Sequence, residues 1–176
     1  MSDLNEEKQI MKERENNSLK IDKELFFNRP ISDLELMAVK SVSSKSILDE
    51  AVKLMQQYNI GSIVIVDNKK VVGILTERDI LMKVSGKSPD NSKIYVSDIM
   101  TKNPFCLRAT DAVMYVMNNM HLGHFRHIPI VNELDEPISM ISVRDLLNYF
   151  FTNFSAEISN TMDHPFRGPK NREDGA

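Results

Sequence analysis

Gly73-Ile74-Leu75-Thr76-Glu77-Arg78-Asp79 runs from an apolar stretch into a polar tetrad, and Ser139-Met140-Ile141-Ser142-Val143-Arg144-Asp145 repeats that order 66 residues later. Upstream the likeness continues at a shift of 65. Ile31-Ser32-Asp33-Leu34 falls on Val96-Ser97-Asp98-Ile99, and Leu48, Ala51, Val52 and Met55 fall on Val113, Val116, Met117 and Met120. Ile63-Val64-Ile65-Val66 meets Ile128-Pro129-Ile130-Val131. The shift changes between Asp67-Asn68-Lys69-Lys70 and the longer Asn132-Glu133-Leu134-Asp135-Glu136, polar stretches where a hairpin absorbs one extra residue. Matches that keep their order and place their single gap in a turn mark a tandem repeat.

Each copy reads as one βαββα unit. The i, i+3, i+4, i+7 spacing of the aligned apolar set is one helix face. The short β-branched runs are buried strands. A leading helical turn carries Asp33 or Asp98, and a strand follows near residues 39–42 or 105–107. The amphipathic helix, two strands joined by a tight turn and a last helix opening near Asp79 or Asp145 complete the unit. One such unit is too small to bury its own apolar faces. The expected fold is therefore α+β, two βαββα units packed with pseudo-twofold symmetry.

The expected boundaries are a charged N-terminal arm over 1–28, a first unit over 29–86, a polar linker over 87–94, a second unit over 95–155 and an extension over 156–176, disordered after about 163. Leu25-Phe26-Phe27 is expected to dock on the core or on a partner subunit. Leu146, Leu147, Phe150, Phe151 and Phe154 extend the last helix to about Ile158. Their apolar breadth makes them a candidate dimer surface.

Composition narrows the class. Hydrophobic residues make up 41% and charged residues 27% of the 176 residues, which is ordinary globular usage. No apolar run approaches the roughly 20 residues that span a bilayer, and the polar N-terminus has no apolar signal core. A cytoplasmic protein is expected. Cys106 is the single cysteine, so no internal disulfide forms and no thiol companion completes a metal set. A net charge of −3 argues against a dedicated nucleic-acid binder.

The tetrads Thr76-x-x-Asp79 and Ser142-x-x-Asp145 have two readings. In one, the hydroxyl caps a helix and the acid suits the helix dipole. In the other, the same helix start faces a ligand: the carboxylate accepts from ribose hydroxyls, Thr76 or Ser142 meets ribose or phosphate oxygen, and Arg78 and Arg144 neutralise phosphate charge. A second group, His124-Phe125-Arg126-His127, sits with His121 before a strand. Zinc is disfavoured, because no acid or thiol completes a set. Arg126 and His127 instead face an anionic ligand or the other copy. No nucleophile elbow, P-loop or zinc-protease motif is present, and the carboxylates are divided between the copies. A catalytic role is not expected.

With these residues in view, the chain resembles a tandem pair of CBS domains, the cystathionine-beta-synthase-type regulatory modules, in the form of a stand-alone CBS domain-containing protein. Ile31-Ser32-Asp33-Leu34, Val96-Ser97-Asp98-Ile99-Met100, Ala51-Val52-Lys53-Leu54-Met55, Phe125-Arg126-His127-Ile128-Pro129-Ile130-Val131 and the two tetrads carry the likeness.

The resemblance implies a pseudo-twofold pair with two clefts that take AMP, ADP, ATP or S-adenosylmethionine, often stacked as a homodimer. It implies that Asp79 and Asp145 hold ribose, that Thr76 and Ser142 meet ribose or phosphate, and that Arg78, Arg144, Arg126 and His127 meet phosphate. Adenine would lie against Ile60, Gly61, Ser62 and Val42. No cofactor is required beyond such a regulatory ligand, and the output passes to a separate, unidentified protein. The family often has Thr where this chain has Ile47 and Ala112. Ser46 and Asp111, one residue earlier, are alternative caps. The competing expectation is a structural or adaptor dimer with vestigial clefts.

Overall fold

The structure is a computed structural model that describes Met11 and residues 27–86 and 94–154. Most of the expected N-terminal arm, the linker up to residue 93 and the chain after 154 lie outside the described residues. The first sheet holds β1 (Ser41–Val42), β2 (Ser62–Asp67), β3 (Lys70–Thr76) and β4 (Thr101–Lys102), in that order. The second holds β5 (Leu107–Arg108), β6 (His127–Val131) and β7 (Pro137–Ser142). The outer strands β1 and β5 pair in parallel with β2 and β6, and the hairpins β2–β3 and β6–β7 are antiparallel. Helices α1 (Leu48–Tyr58) and α4 (Val113–Gly123) follow the first strand of each copy. Helices α2 (Glu77–Lys83) and α5 (Val143–Asn153) follow the hairpins.

Local sequence explains the turns. Asn68 and Lys69 both take positive φ, 49° and 67°, as a two-residue hairpin with twisted strands requires. The longer second turn has Asp135 at φ 62° and spans 132–136, so the extra residue lies where the shift changes. Each hairpin also has one register irregularity, after Ile65 and after Ile130. Helices α1 and α4 end at Asn59 and His124, both left-handed at φ 51° and 54°.

The two leading segments are exchanged. The 3-10 turn Ile31–Asp33 leaves its own copy and joins the second, while α3 (Val96–Ile99) joins the first. Ile31 N–H donates to Asp111 O at 2.8 Å and Ser32 N–H to Ala109 O at 2.8 Å, and Arg29 O accepts from Val113 N–H at 2.9 Å. The other direction repeats each bond 65 residues away: Val96 to Ser46 at 2.9 Å, Ser97 to Ser44 at 3.1 Å, and Leu48 to Ile94 at 2.8 Å. The strands follow suit. Strand β4 pairs antiparallel with β3 through Gly73 and Ile74, and Ala38 makes the matching bridge to Ser139.

This exchange corrects the expected caps. Helices α1 and α4 are preceded by Ile47 and Ala112, neither with a side-chain cap. The first N–H of each helix is satisfied by the other copy's backbone, and Asp111 instead accepts from Arg108 N–H at 2.7 Å. A helix start needs some acceptor for these groups.

Two cores result. Leu48, Ala51, Met55, Ile63, Ile65, Leu75 and Val84 pack with Val96 and Ile99 from the second copy. Val113, Val116, Met120, Ile128, Ile130 and Ile141 pack with Ile31 and Leu34 from the first. Burying each of the larger aliphatic side chains contributes about 1.5–3 kcal/mol. On α5, Leu147 and Phe151 remain exposed. No helix among the described residues is long and apolar enough to cross a membrane.

Two outcomes are expected. Ile31→Ala and Ile99→Ala should each cost about 2–5 kcal/mol in denaturant unfolding. Hydrogen exchange should localise the lost protection crosswise, to β5–β7 for Ile31→Ala and to β1–β3 for Ile99→Ala. Protection lost in the mutated copy's own sheet would contradict the exchange. Secondly, a Cβ on Gly73 would lie 2.4 Å from Met100 Sδ. Gly73→Ala should therefore destabilise by about 1–3 kcal/mol, and Met100→Ala in the same chain should recover part of that loss.

Candidate functional site

Where the exchanged segment passes the end of the first sheet, both copies line a cavity of about 320 Å³. The first copy supplies Gly61, Ile74 and Thr76 to Asp79; the second supplies Thr101, Asn103 to Phe105, and His124 to His127. Phe105 and Phe125 flank it with ring centroids 6.3 Å apart and planes inclined by 30°. A flat aromatic ligand suits such walls. An open depression beside it shares Arg78, His124, Phe125 and Arg126 and adds His121.

Strand β3 brings Thr76 opposite Ser62 and hands the chain directly to α2. Thr76 Oγ1 accepts from Asp79 N–H at 3.2 Å, and Asp79 Oδ2 accepts from Thr76 N–H at 3.0 Å and from Thr76 Oγ1 at 2.7 Å. The cap and the ligand-facing reading thus use the same atoms. Because the Thr76 hydrogen points at Asp79, the lone pair left on Oγ1 can only accept. Such a lone pair suits a hydroxyl donor and not a phosphate oxygen. Ser142 and Asp145 repeat the arrangement, with 2.7 Å and 2.6 Å bonds to Asp145 Oδ2.

Asp79 is further held by Lys83 Nζ at 2.7 Å and Thr101 Oγ1 at 3.2 Å, both on Oδ1. Burial pushes its pKa up, but the hydrogen bonds from Lys83 and Thr76 outweigh that and hold it below the ordinary carboxylate value. It is charged at neutral pH.

His127 begins β6 opposite Ser142. Burial, then the neighbouring Arg126 charge, lowers its pKa, with Glu77 and Asp145 opposing. Its imidazole is therefore neutral near pH 7, a hydrogen-bonding group and not a fixed cation. Arg78 and Arg126 are exposed at the cleft and carry the positive charge. Arg78 Nη1 reaches His124 O at 3.5 Å.

Of the residues expected at the site, Gly61, Thr76, Arg78, Asp79, Arg126 and His127 are gathered in this cavity. Ser142, Arg144, Asp145, Ile60, Ser62 and Val42 do not line it. Val42 and Ile60 pack on the first core, and Val42 pairs with Ile65, three residues along β2 from Ser62. Ser62 is buried and paired with Thr76 across the hairpin. Ser142, Arg144 and Asp145 stand at the symmetry-related helix start, α5. There the place of Phe105 is taken by Lys40, whose ammonium lies 4.2 Å from the Tyr58 ring centroid, and the place of Phe125 by Ile60.

Phe125 was accessible to sequence reasoning, since a shift of 65 from Ile60 lands on it. Thr101, Asn103 and Phe105 carried no such signal, because only the exchange brings them to the first copy's helix start. Among the described residues, no group of three or more His, Cys, Asp or Glu could hold a metal ion, His121, His124 and His127 included.

Comparison with known proteins identifies the family and the fold. The CBS domain family matches residues 31–86 and 96–152. An uncharacterized 17.7 kDa protein of Acidianus ambivalens is 34% identical over 121 residues, covering 66% of this chain and 70% of that one. The inosine-5'-monophosphate dehydrogenase of Methanocaldococcus jannaschii is 31% identical over 110 residues, 62% of this chain but 21% of the enzyme.

Among solved structures, a CBS-domain protein of Agrobacterium tumefaciens superposes with TM-score 0.63 at 27% identity, covering 70% of this chain and 95% of that one. CBSX2 in complex with AMP gives TM-score 0.63 at 16% identity, covering 70% and 97%. The CBS domain pair of MJ0100, in complex with 5'-methylthioadenosine and S-adenosyl-L-methionine, gives 0.63 at 23%, also covering 70% and 97%. Two matched repeats that take up well over half of the chain, on a fold shared with solved CBS pairs, make this protein a member of the CBS domain family.

Proposed function

We propose that this protein is a regulatory module that binds an adenine nucleotide between its two CBS repeats and passes the bound state to a separate protein. The observation that carries this reading is the cavity itself. Aromatic walls at Phe105 and Phe125, a charged carboxylate at Asp79 and exposed guanidinium groups at Arg78 and Arg126 lie within one cleft built from both copies. These are complements to a base, a ribose diol and a phosphate. Relatives of the same fold support it: CBSX2 is solved with AMP, and the MJ0100 pair with 5'-methylthioadenosine and S-adenosyl-L-methionine. The two arginines favour a nucleotide, with its anionic phosphate, over a sulfonium-bearing ligand.

The mechanism is a population shift, in which ligand touching both copies favours one arrangement of the pair by its differential affinity. The protein acts in the cytoplasm as a homodimer stacked through its CBS pair, and it is regulatory and not catalytic. One observation favours a second reading, a structural or adaptor dimer with vestigial clefts. Helices α1 and α4 begin at Ile47 and Ala112, where no hydroxyl is offered to a ligand.

Calorimetric titration of AMP, ADP, ATP and S-adenosylmethionine separates the two. Nucleotide should bind the unmodified protein. Arg126→Ala should weaken it about ten- to a hundredfold by removing a charge-assisted contact. Phe125→Ala should cost about 1–3 kcal/mol of base stacking. Absence of binding by every ligand, with a tight dimer in sedimentation, would establish the adaptor reading instead.

A further inference from the structure

Asp79 belongs both to the cleft and to a tie between the copies. A carboxylate has about four lone-pair sites. Asp79 accepts from four donors: Thr76 N–H and Thr76 Oγ1 on Oδ2, Lys83 Nζ and Thr101 Oγ1 on Oδ1. It has no acceptor site left for a diol. Among the described residues Asp145 accepts from two donors, the backbone and the hydroxyl of Ser142. The contrast lies in the sequence, because Tyr149 stands where a second Lys83 would be.

Both donors on Oδ1 lead to the second copy. Thr101 belongs to β4, and Lys83 Nζ also donates to Ile99 O, at 2.6 Å, at the end of α3. Lys83 is 42% exposed and Asp79 12%, so the lysine can turn to water while the carboxylate stays in place.

We propose that Lys83 and Thr101 form a clasp on Asp79 that a ribose diol must displace, making Lys83 an affinity-determining residue of this cleft. The inference rests on the nucleotide-binding reading above. The exchange is donor for donor. Two ribose hydroxyls replace an ammonium and a threonine hydroxyl, so the carboxylate stays satisfied while the tie from Asp79 to α3 and β4 is released. Occupancy of the cleft and the fastening of the copies are then competing uses of one oxygen atom.

Lys83→Met and Thr101→Val remove one donor each, and Thr101→Val alters only an exposed hydroxyl, so it serves if Lys83→Met fails to fold. AMP and ATP, with their 2',3'-dideoxy counterparts, are titrated into both variants and the unmodified protein. The variants should bind AMP or ATP about tenfold more tightly, and the gain should vanish with the dideoxy ligands. Binding by the variants alone would equally support the clasp. Equal or weaker binding by the variants, with binding by the unmodified protein, would overturn the clasp and leave the nucleotide reading intact. A gain that persists with the dideoxy ligands would also overturn it. No binding by any form would remove both.

Discussion

The backbone bonds between the leading turns and the opposite copies govern the structure. Helices α1 and α4 start without a side-chain cap, at Ile47 and Ala112. Their first N–H groups are satisfied by Ile94 and Arg29, carbonyls that belong to the other repeat. Each such bond contributes only about 0.5–1.5 kcal/mol, yet a buried donor left without an acceptor costs about 1–3. The same segments insert Ile31 and Leu34, or Val96 and Ile99, into the opposite core. Neither copy is complete alone, in hydrogen bonding or in apolar burial. The cleft follows from the same constraint, since the chain that supplies α3 and β4 runs on through Thr101 to Phe105 across the mouth of the first sheet.

Within this symmetric frame the side chains diverge. The backbone bond from Glu77 to Gly61 has its echo in Val143 to Arg126, and the capping pair Thr76–Asp79 in Ser142–Asp145. Around those fixed points the first cleft has Phe105, Phe125 and His127, where the related place has Lys40, Ile60 and Ser62. One place offers flat apolar walls and a neutral imidazole, the other a lysine drawn onto Tyr58. Equal backbone geometry therefore presents unequal chemistry, and the two places are not interchangeable sites for one ligand.

The repeat was legible because its signals are local. Helix faces recur at 3.6-residue spacing, strands are β-branched, and the extra residue lies in a turn. The capping pairs were legible for the same reason, as each joins residues three apart. The exchange was not legible. Either assignment of Ile31–Asp33, to its own copy or to the other, buries the same apolar side chains, and sequence periodicity does not distinguish them. Everything that depends on crossing was lost with it: Thr101 beside Asp79, Phe105 facing Phe125, and the capping of α1 and α4 by backbone and not by Ser46 or Asp111. Val42 falls outside the cavity for a related reason. Strand β1 pairs beside Ile65, deeper in the sheet than the end that borders the cleft.

The carboxylates also connect the site to the surface. Asp79 stands in the first turn of α2, and the same short helix exposes Leu81 and Met82. Asp145 stands in the first turn of α5, which exposes Leu147 and Phe151. A helix of seven or eleven residues moves as a rigid rod, because its hydrogen bonds deform less easily than the contacts at its ends. In the proposed role, a change in what Asp79 holds at one end of α2 would reach the apolar side chains one turn away. In the proposed role this short lever is sufficient to relay occupancy to a neighbouring protein surface.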